Sequence, residues 1–372
     1  MTEKAEMTRD KKLLRLFLIM LACQTAMMLF LGVGKRDYHI DEIYSYVLSN
    51  SFDCDKLTNS DKINNQWIDG GEALREFVTV QKGERFAYQR TYLNNTTDAH
   101  PPLYYYVLHT VCSFFPDSFS KWYGLSVNLV FFLLTQTVLF ALSSRLFRQD
   151  GWKLLPAALY GFSPLACDIT LFIRMYAMLT FFTLLLFYLH YRMLEGDLKY
   201  PYLWCFATVF LGVYTQYFFA FSAFYLAAFY CLYLLSRKRL RESGYYAGSM
   251  LAGVLLVLWV YPASIRQATG SGTNNVGNEV SSNILNFAVL PEHIYSYLHQ
   301  FLSRMAHDSK LLLLLYAAAV LGIAALAWKY REKDGGERSR TTFREKLSHR
   351  RFACFFDLIL ILGLTFATVA HI

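Results

Sequence analysis

Four short stretches place chemically capable side chains in an otherwise apolar chain. "HIDEIYSY" (39–46) sets Asp41 and Glu42 side by side among aromatic residues, and "DCD" puts Asp53 and Asp55 two apart. "DAHPPLYYYVLH" (98–109) carries Asp98, His100 and the tyrosines Tyr104, Tyr105 and Tyr106, while "LFIRMYAML" (171–179) carries Arg174 and Tyr176. A carboxylate at a partly desolvated mouth gains proton affinity and suits general-base work. A guanidinium offers forked donors that match phosphate oxygens. Taken singly, each group has a plainer reading. Adjacent acids are usually solvated, an arginine at a helix end snorkels to the headgroups, and a histidine caps a turn. The alternatives separate only once the elements that carry these groups are assigned to sides.

Composition sets the class of those elements. With 55% of 372 residues apolar and 17% charged, the chain reads as a membrane protein. Apolar runs recur at about 13–33, 121–144, 154–172, 175–191, 201–219, 221–236, 245–263, 311–328 and 352–370. A helix of roughly 20 residues covers the ~30 Å of hydrocarbon, so nine spans are expected, with the termini on opposite sides. Basic residues cluster on alternate connections. Lys4, Arg9, Lys11, Lys12 and Arg15 precede the first span, Arg145, Arg148 and Lys153 follow the second, Arg192 and Lys199 the fourth, and Arg237, Lys238, Arg239 and Arg241 the sixth. A further group lies between Lys329 and Arg351. The positive-inside rule makes that side cytoplasmic, N-terminus included. It also explains the net charge of +8 as topology, with no nucleic-acid partner implied.

"LYYYVLHTVCSFF" (103–115) is as apolar as a span, but its length of helix rises only about 20 Å. Counting it as a crossing would reverse the sides of every later basic cluster, so an interfacial helix is expected there, started by Pro101 and Pro102 and stopped by Pro116. The expected organisation is then a membrane module over 1–263 with a first outer loop at about 34–120, a second outer loop at 264–310, and a C-terminal hairpin of spans at 311–372. The Gly/Ser/Asn-rich opening of the second loop, "ATGSGTNNVGNEVSSN", reads equally as a lid and as a plain connection. The first apolar run reads as an anchor rather than a cleaved leader. The seven cysteines show no metal-ligand spacing, although Cys54 and Cys112 share the outer side.

On this assignment Asp41, Glu42, Asp98, His100, Arg174 and Tyr176 all fall on the outer face. Asp-Glu in the first outer loop, then His-Pro-Pro-Leu-Tyr-Tyr, then Arg-Met-Tyr, over about residues 13–240, resembles the GT-C superfamily of integral-membrane glycosyltransferases. The nearest branch is that of the protein O-mannosyltransferases, lipid A aminoarabinose transferases and rhizobial galacturonosyltransferases. The resemblance implies an all-α polytopic bundle with interfacial helices in the first outer loop. It also implies transfer of a sugar from a polyprenyl-phosphate donor to an acceptor hydroxyl on a lipid, protein or wall polymer, at the outer face of the cell membrane and among its lipids.

By the same resemblance Asp41 is the base, Glu42 supports it, and the reaction inverts the anomeric carbon. Arg174 neutralises the departing phosphate with Tyr176 as a hydrogen-bond donor, and Asp98, His100 and Tyr104 belong to the substrate-site loop. No cofactor is implied, since the nearest branches need no Asp-x-Asp motif; were a divalent cation used, Asp53 and Asp55 would be its place. Relatives continue through further spans, so the chain reads as a fragment or a reduced form. The rival reading is a transporter or flippase of lipid-linked saccharides, which calls for ionisable residues or broken helices near the midplane; a structural scaffold would leave the outer charges without a purpose.

Overall fold

The computed structural model describes residues 2–52, 67, 69–147 and 149–269, together with Glu292, Tyr295, Ser296 and His299. The chain divides into two compact units, Met1–Ser281 and Ser282–Ile372. Every helix of the bundle belongs to the first unit, and no strand occurs among the described residues.

The chain begins with α1 (Thr2–Gly34), followed by four short helices, α2 (Ile40–Asn50), α3 (Gly70–Val78), α4 (Tyr88–Thr96) and α5 (Leu103–Ser113). Next come α6 (Lys121–Leu146), α7 (Asp150–Gly161), α8 (Pro164–Leu171) and α9 (Tyr176–Glu195). The last four are α10 (Pro201–Thr215), α11 (Phe219–Ser236), α12 (Leu240–Val260) and the short α13 (Ala263–Thr269). Among the described residues, five helices are long and apolar enough to cross a membrane: Asp10–Gly34 within α1, α6, α9, α11 and α12. The protein is thus an all-α polytopic helix bundle, as composition implied.

Two expected spans take a different form. The run at 154–172 is not one rod, because α7 and α8 meet at a 54° bend. "GFSP" is the cause. Pro164 cannot donate a backbone hydrogen bond, and Ser163 instead starts a new helix by accepting from the Ala166 N–H at 3.1 Å. The run at 201–219 ends early, since Gln216 turns extended and α10 keeps 15 residues. That rises about 22 Å, short of the hydrocarbon thickness. The described residues therefore contain five such spans, or six with the bent pair as one. The expected spans 311–328 and 352–370, most of the second outer loop, and Cys54 lie outside the described residues.

Inside the bundle α9 packs against α6 and α10, α10 against α12, and α11 against α12, while α2 gathers α3, α4 and α5 around itself. Polar side chains within the spans bond one another. The Gln136 amide donates to Gln24 Oε1 at 3.0 Å, and both glutamines donate to the Ala157 carbonyl. Gly161 permits that approach, because a Cβ there would sit 2.0 Å from Gln136 Nε2. On α9, His190 Nδ1 faces the Leu186 carbonyl at 2.7 Å and so must carry the proton, which leaves Nε2 to accept from the Tyr246 hydroxyl at 2.6 Å. These bonds tie helices where water offers no alternative partner.

Candidate active site

The turn between α8 and α9, which carries Arg174, is fixed from three sides. Asn128 of α6 donates to the Thr170 and Phe172 carbonyls at 3.1 and 2.6 Å. Gly124, one turn earlier on α6, makes room for Ile173, since a Cβ would meet Ile173 Cγ2 at 2.1 Å. The third support comes from the first loop: the Ile173 N–H donates to Glu42 Oε1 at 2.8 Å.

Glu42 is 1% exposed and fully occupied. Its other oxygen, Oε2, accepts from the His39 N–H at 2.8 Å and from Lys35 Nζ at 2.9 Å. It closes the capping box at the start of α2, in which His39 Nδ1 accepts from the Asp41 N–H at 3.2 Å. A single carboxylate thus joins the end of α1, the start of α2 and the Arg174 turn. Tyr46 adds a second tie, donating to the Ser120 carbonyl at 2.8 Å and accepting from the Gly124 N–H at 3.0 Å.

These supports bring Arg174 to Asp41. Arg174 is 5% exposed and its Nη1 donates to Tyr105 Oη at 3.3 Å and, at 3.5 Å, to the backbone carbonyl of Asp41. Its Nε has no hydrogen-bond partner among the described residues. The guanidinium therefore meets neutral oxygens and keeps unused donor capacity. Burial pushes the Tyr105 phenol up, only partly offset by Arg174, so that hydroxyl stays protonated. The Asp41 side chain is 42% exposed, and its carboxylate lies 3.8 Å from His39 Nδ1, the nitrogen that accepts the Asp41 N–H. It is less enclosed than the partly desolvated mouth expected from sequence, and open to an incoming group. Tyr176 lies half-buried with its ring stacked on Phe172 at 5.9 Å.

Asp98 and His100 form a pair beside this centre, with His100 Nδ1 and Asp98 Oδ2 2.8 Å apart. Burial pushes the Asp98 carboxyl up, but the His100 hydrogen bond and charge, the Ala99 N–H and Arg174 outweigh it and hold it below the ordinary value. Tyr104 takes a different place from its neighbour Tyr105. It is fully buried, and its hydroxyl donates to Asn128 Oδ1 at 3.3 Å, so it braces the α6 support. Sequence reasoning named Asp41, Glu42, Asp98, His100, Arg174 and Tyr176, and the structure draws all six to one end of the bundle. It missed Gly124, Asn128 and Lys35, whose polar or small character inside or beside an apolar run was the available signal. Asp53 and Asp55 lie outside the described residues, and no group of three His, Cys, Asp or Glu side chains among the described residues is placed to hold a metal ion.

Fold and site together define a multi-pass membrane protein with a charged centre where its short helices meet the long ones. Residues 99–261 match the family of dolichyl-phosphate-mannose-protein mannosyltransferases, a domain of the GT-C superfamily, and the match supports a glycosyltransferase of the GT-C type. No curated protein and no solved structure matches the chain. The matched segment holds His100, Tyr105, Arg174 and Tyr176 but starts after the acid pair. Asp41 and Glu42 join the centre through the contacts of Glu42 with Ile173 and of Arg174 with the Asp41 carbonyl.

Proposed function

We propose that this glycosyltransferase moves a sugar from a polyprenyl-phosphate donor to an acceptor hydroxyl, with inversion, at the outer face of the cell membrane. Asp41 takes the proton from the acceptor hydroxyl, whose oxygen attacks the anomeric carbon. The bond from that carbon to the phosphate oxygen breaks, and its electron pair leaves with the polyprenyl phosphate. Arg174 meets the charge that grows on that phosphate, and a buried cation acts on it more strongly than one in water. Tyr176 borders the same phosphate. Glu42 holds base and cation in register, and Asp98 and His100 line the approach.

The observation that carries this reading is the pairing of an accessible carboxylate with a buried arginine of unused donor capacity, fixed together by Glu42. The matched family's description names a polyprenyl-type phosphate sugar, which supports the donor class. The basic clusters at Arg145, Arg192, Lys199 and Arg237–Arg241 lie at the far end of the long helices, which supports an outer position for the centre. The break between α7 and α8 is a feature that transport also calls for, but Gln24, Gln136 and His190 within the spans bond neighbouring helices rather than forming a charged path. The test is purified protein in lipid discs with radiolabelled polyprenyl-phosphate mannose and a membrane extract as acceptor. The reading expects label on acceptor and release of polyprenyl phosphate. It fails if no polyprenyl-phosphate sugar is consumed while the protein in liposomes moves a fluorescent lipid-linked saccharide between leaflets.

A further inference from the structure

We propose that Gln267 is a positioning residue that holds the Asp98–His100 segment at the centre, an inference that rests on the glycosyl-transfer reading above. One amide joins three regions distant in sequence. Gln267 Nε2 lies 2.8 Å from the Asn95 carbonyl and 2.6 Å from the Asp98 carbonyl, with the Tyr261 hydroxyl at 3.1 Å, and Gln267 Oε1 accepts from the Tyr217 hydroxyl at 2.6 Å. Two carbonyls on one side and a phenol on the other fix which way the amide faces, because only the nitrogen donates. Arg266, next to it on α13, donates to the Thr96 carbonyl at 2.7 Å.

The Asn95 and Thr96 carbonyls belong to the last turn of α4, where regular helix bonds run out and Asn95 keeps only the turn contacts of the Thr97 and Asp98 N–H groups. Side chains of α13 add donors to both carbonyls. The consequence reaches the site through chain geometry. Beyond the Asp98 carbonyl, Pro101 and Pro102 restrict the backbone, so only Ala99 and His100 separate the held carbonyl from a stiff segment. Gln267 therefore sets where the Asp98 carboxylate and the His100 ring stand relative to Arg174. Tyr217, in the turn between α10 and α11, sets Gln267 in turn. The α4–α5 turn, the α10–α11 turn and the start of the chain beyond α12 thus meet on one side chain.

The experiment compares Gln267→Leu, Gln267→Glu, Tyr217→Phe, His100→Ala and the double variant Gln267→Leu/His100→Ala in the full chain. Transfer from polyprenyl-phosphate mannose gives kcat and the donor KM. Misplacement of a binding segment by about an ångström costs up to roughly a hundredfold, so Gln267→Leu is expected to raise the donor KM about tenfold with kcat within about threefold. Gln267→Glu turns a carboxylate on the two carbonyls and raises it further, while Tyr217→Phe raises it less than Gln267→Leu. If Gln267 acts through His100, the double variant is no worse than the more damaging single variant. Additive losses, or an unchanged donor KM in Gln267→Leu, overturn the proposal. Hydrogen exchange over residues 95–100 decides the matter independently of turnover. Faster exchange in Gln267→Leu upholds the latch even where wild type transfers nothing and the glycosyl-transfer reading falls; unchanged exchange removes the latch whatever the activity.

Discussion

Each end of the long helices holds an arginine among acids, and the two are satisfied in opposite ways. At the far end of α6, Arg145 is about a third exposed and its Nη1 bonds Glu195 and Asp197, the latter at 2.6 Å. Arg192 donates to Asp197 as well. At the near end of α9, about 30 Å away by helix rise, Arg174 is 5% exposed and donates to a phenol and a backbone carbonyl, with Nε unused. An exposed network satisfies its charges locally and contributes little. A buried cation without a bonded carboxylate is costly to hold, and Glu42, Asn128 and Gly124 are the parts that hold it. On the proposed reading, the donor capacity left over at Arg174 is what meets the phosphate of the donor.

That contrast is open to attack from both ends. Among variants that keep Asp41, the largest effect is expected from Arg174→Lys, which keeps the charge but loses the fork. Transfer should fall about a hundredfold or more, the scale of one lost charge-stabilising donor, in a steady-state assay with polyprenyl-phosphate mannose. A next, smaller loss belongs to Glu42→Gln. It keeps the shape but weakens the bonds to Ile173, His39 and Lys35, and should cost roughly 1–3 kcal/mol in thermal unfolding together with about tenfold in kcat/KM.

Asp98 gives a pH test. Its carboxyl stands below the ordinary value in the folded protein, so its contribution is present above the unfolded pKa of about 3.9 and is lost as pH falls through the lower, folded value. The wild-type Tm should therefore drop more steeply below about pH 4 than that of Asp98→Asn. Parallel curves would show that the pair adds nothing. The smallest effect is expected at the opposite end, where Arg145→Ala should leave kcat/KM within about twofold and stability within about 1 kcal/mol. A large loss of transfer there would erase the difference between the ends.

Much of the architecture was legible because hydrophobic length is a one-dimensional signal. The runs at 13–33, 121–144, 175–191, 221–236 and 245–263 correspond to the five long apolar helices. The break between α7 and α8 was written in Ser163-Pro164, but an averaged apolar run hides a local stop. The limits of legibility are plainer at the centre. That Glu42 accepts from Ile173, 131 residues away, follows from no spacing, and neither does the close approach that Gly124 permits. Tyr104 and Tyr105 are adjacent on α5, about 100° apart around the helix. One meets Asn128 and the other Arg174, a choice set by packing against α2 and α6. Distance in the fold, rather than residue type, is what the sequence withheld.

The central claim is that Asp41 takes the proton from the acceptor hydroxyl while Arg174 holds the phosphate of the donor. Its most direct test is Asp41→Asn, with binding of polyprenyl-phosphate mannose and single-turnover transfer measured on the same preparation. The account predicts donor affinity within about threefold of wild type and transfer slowed by roughly a hundred- to ten-thousandfold, the range of a lost general base. Transfer at the wild-type rate with the same donor affinity would contradict it.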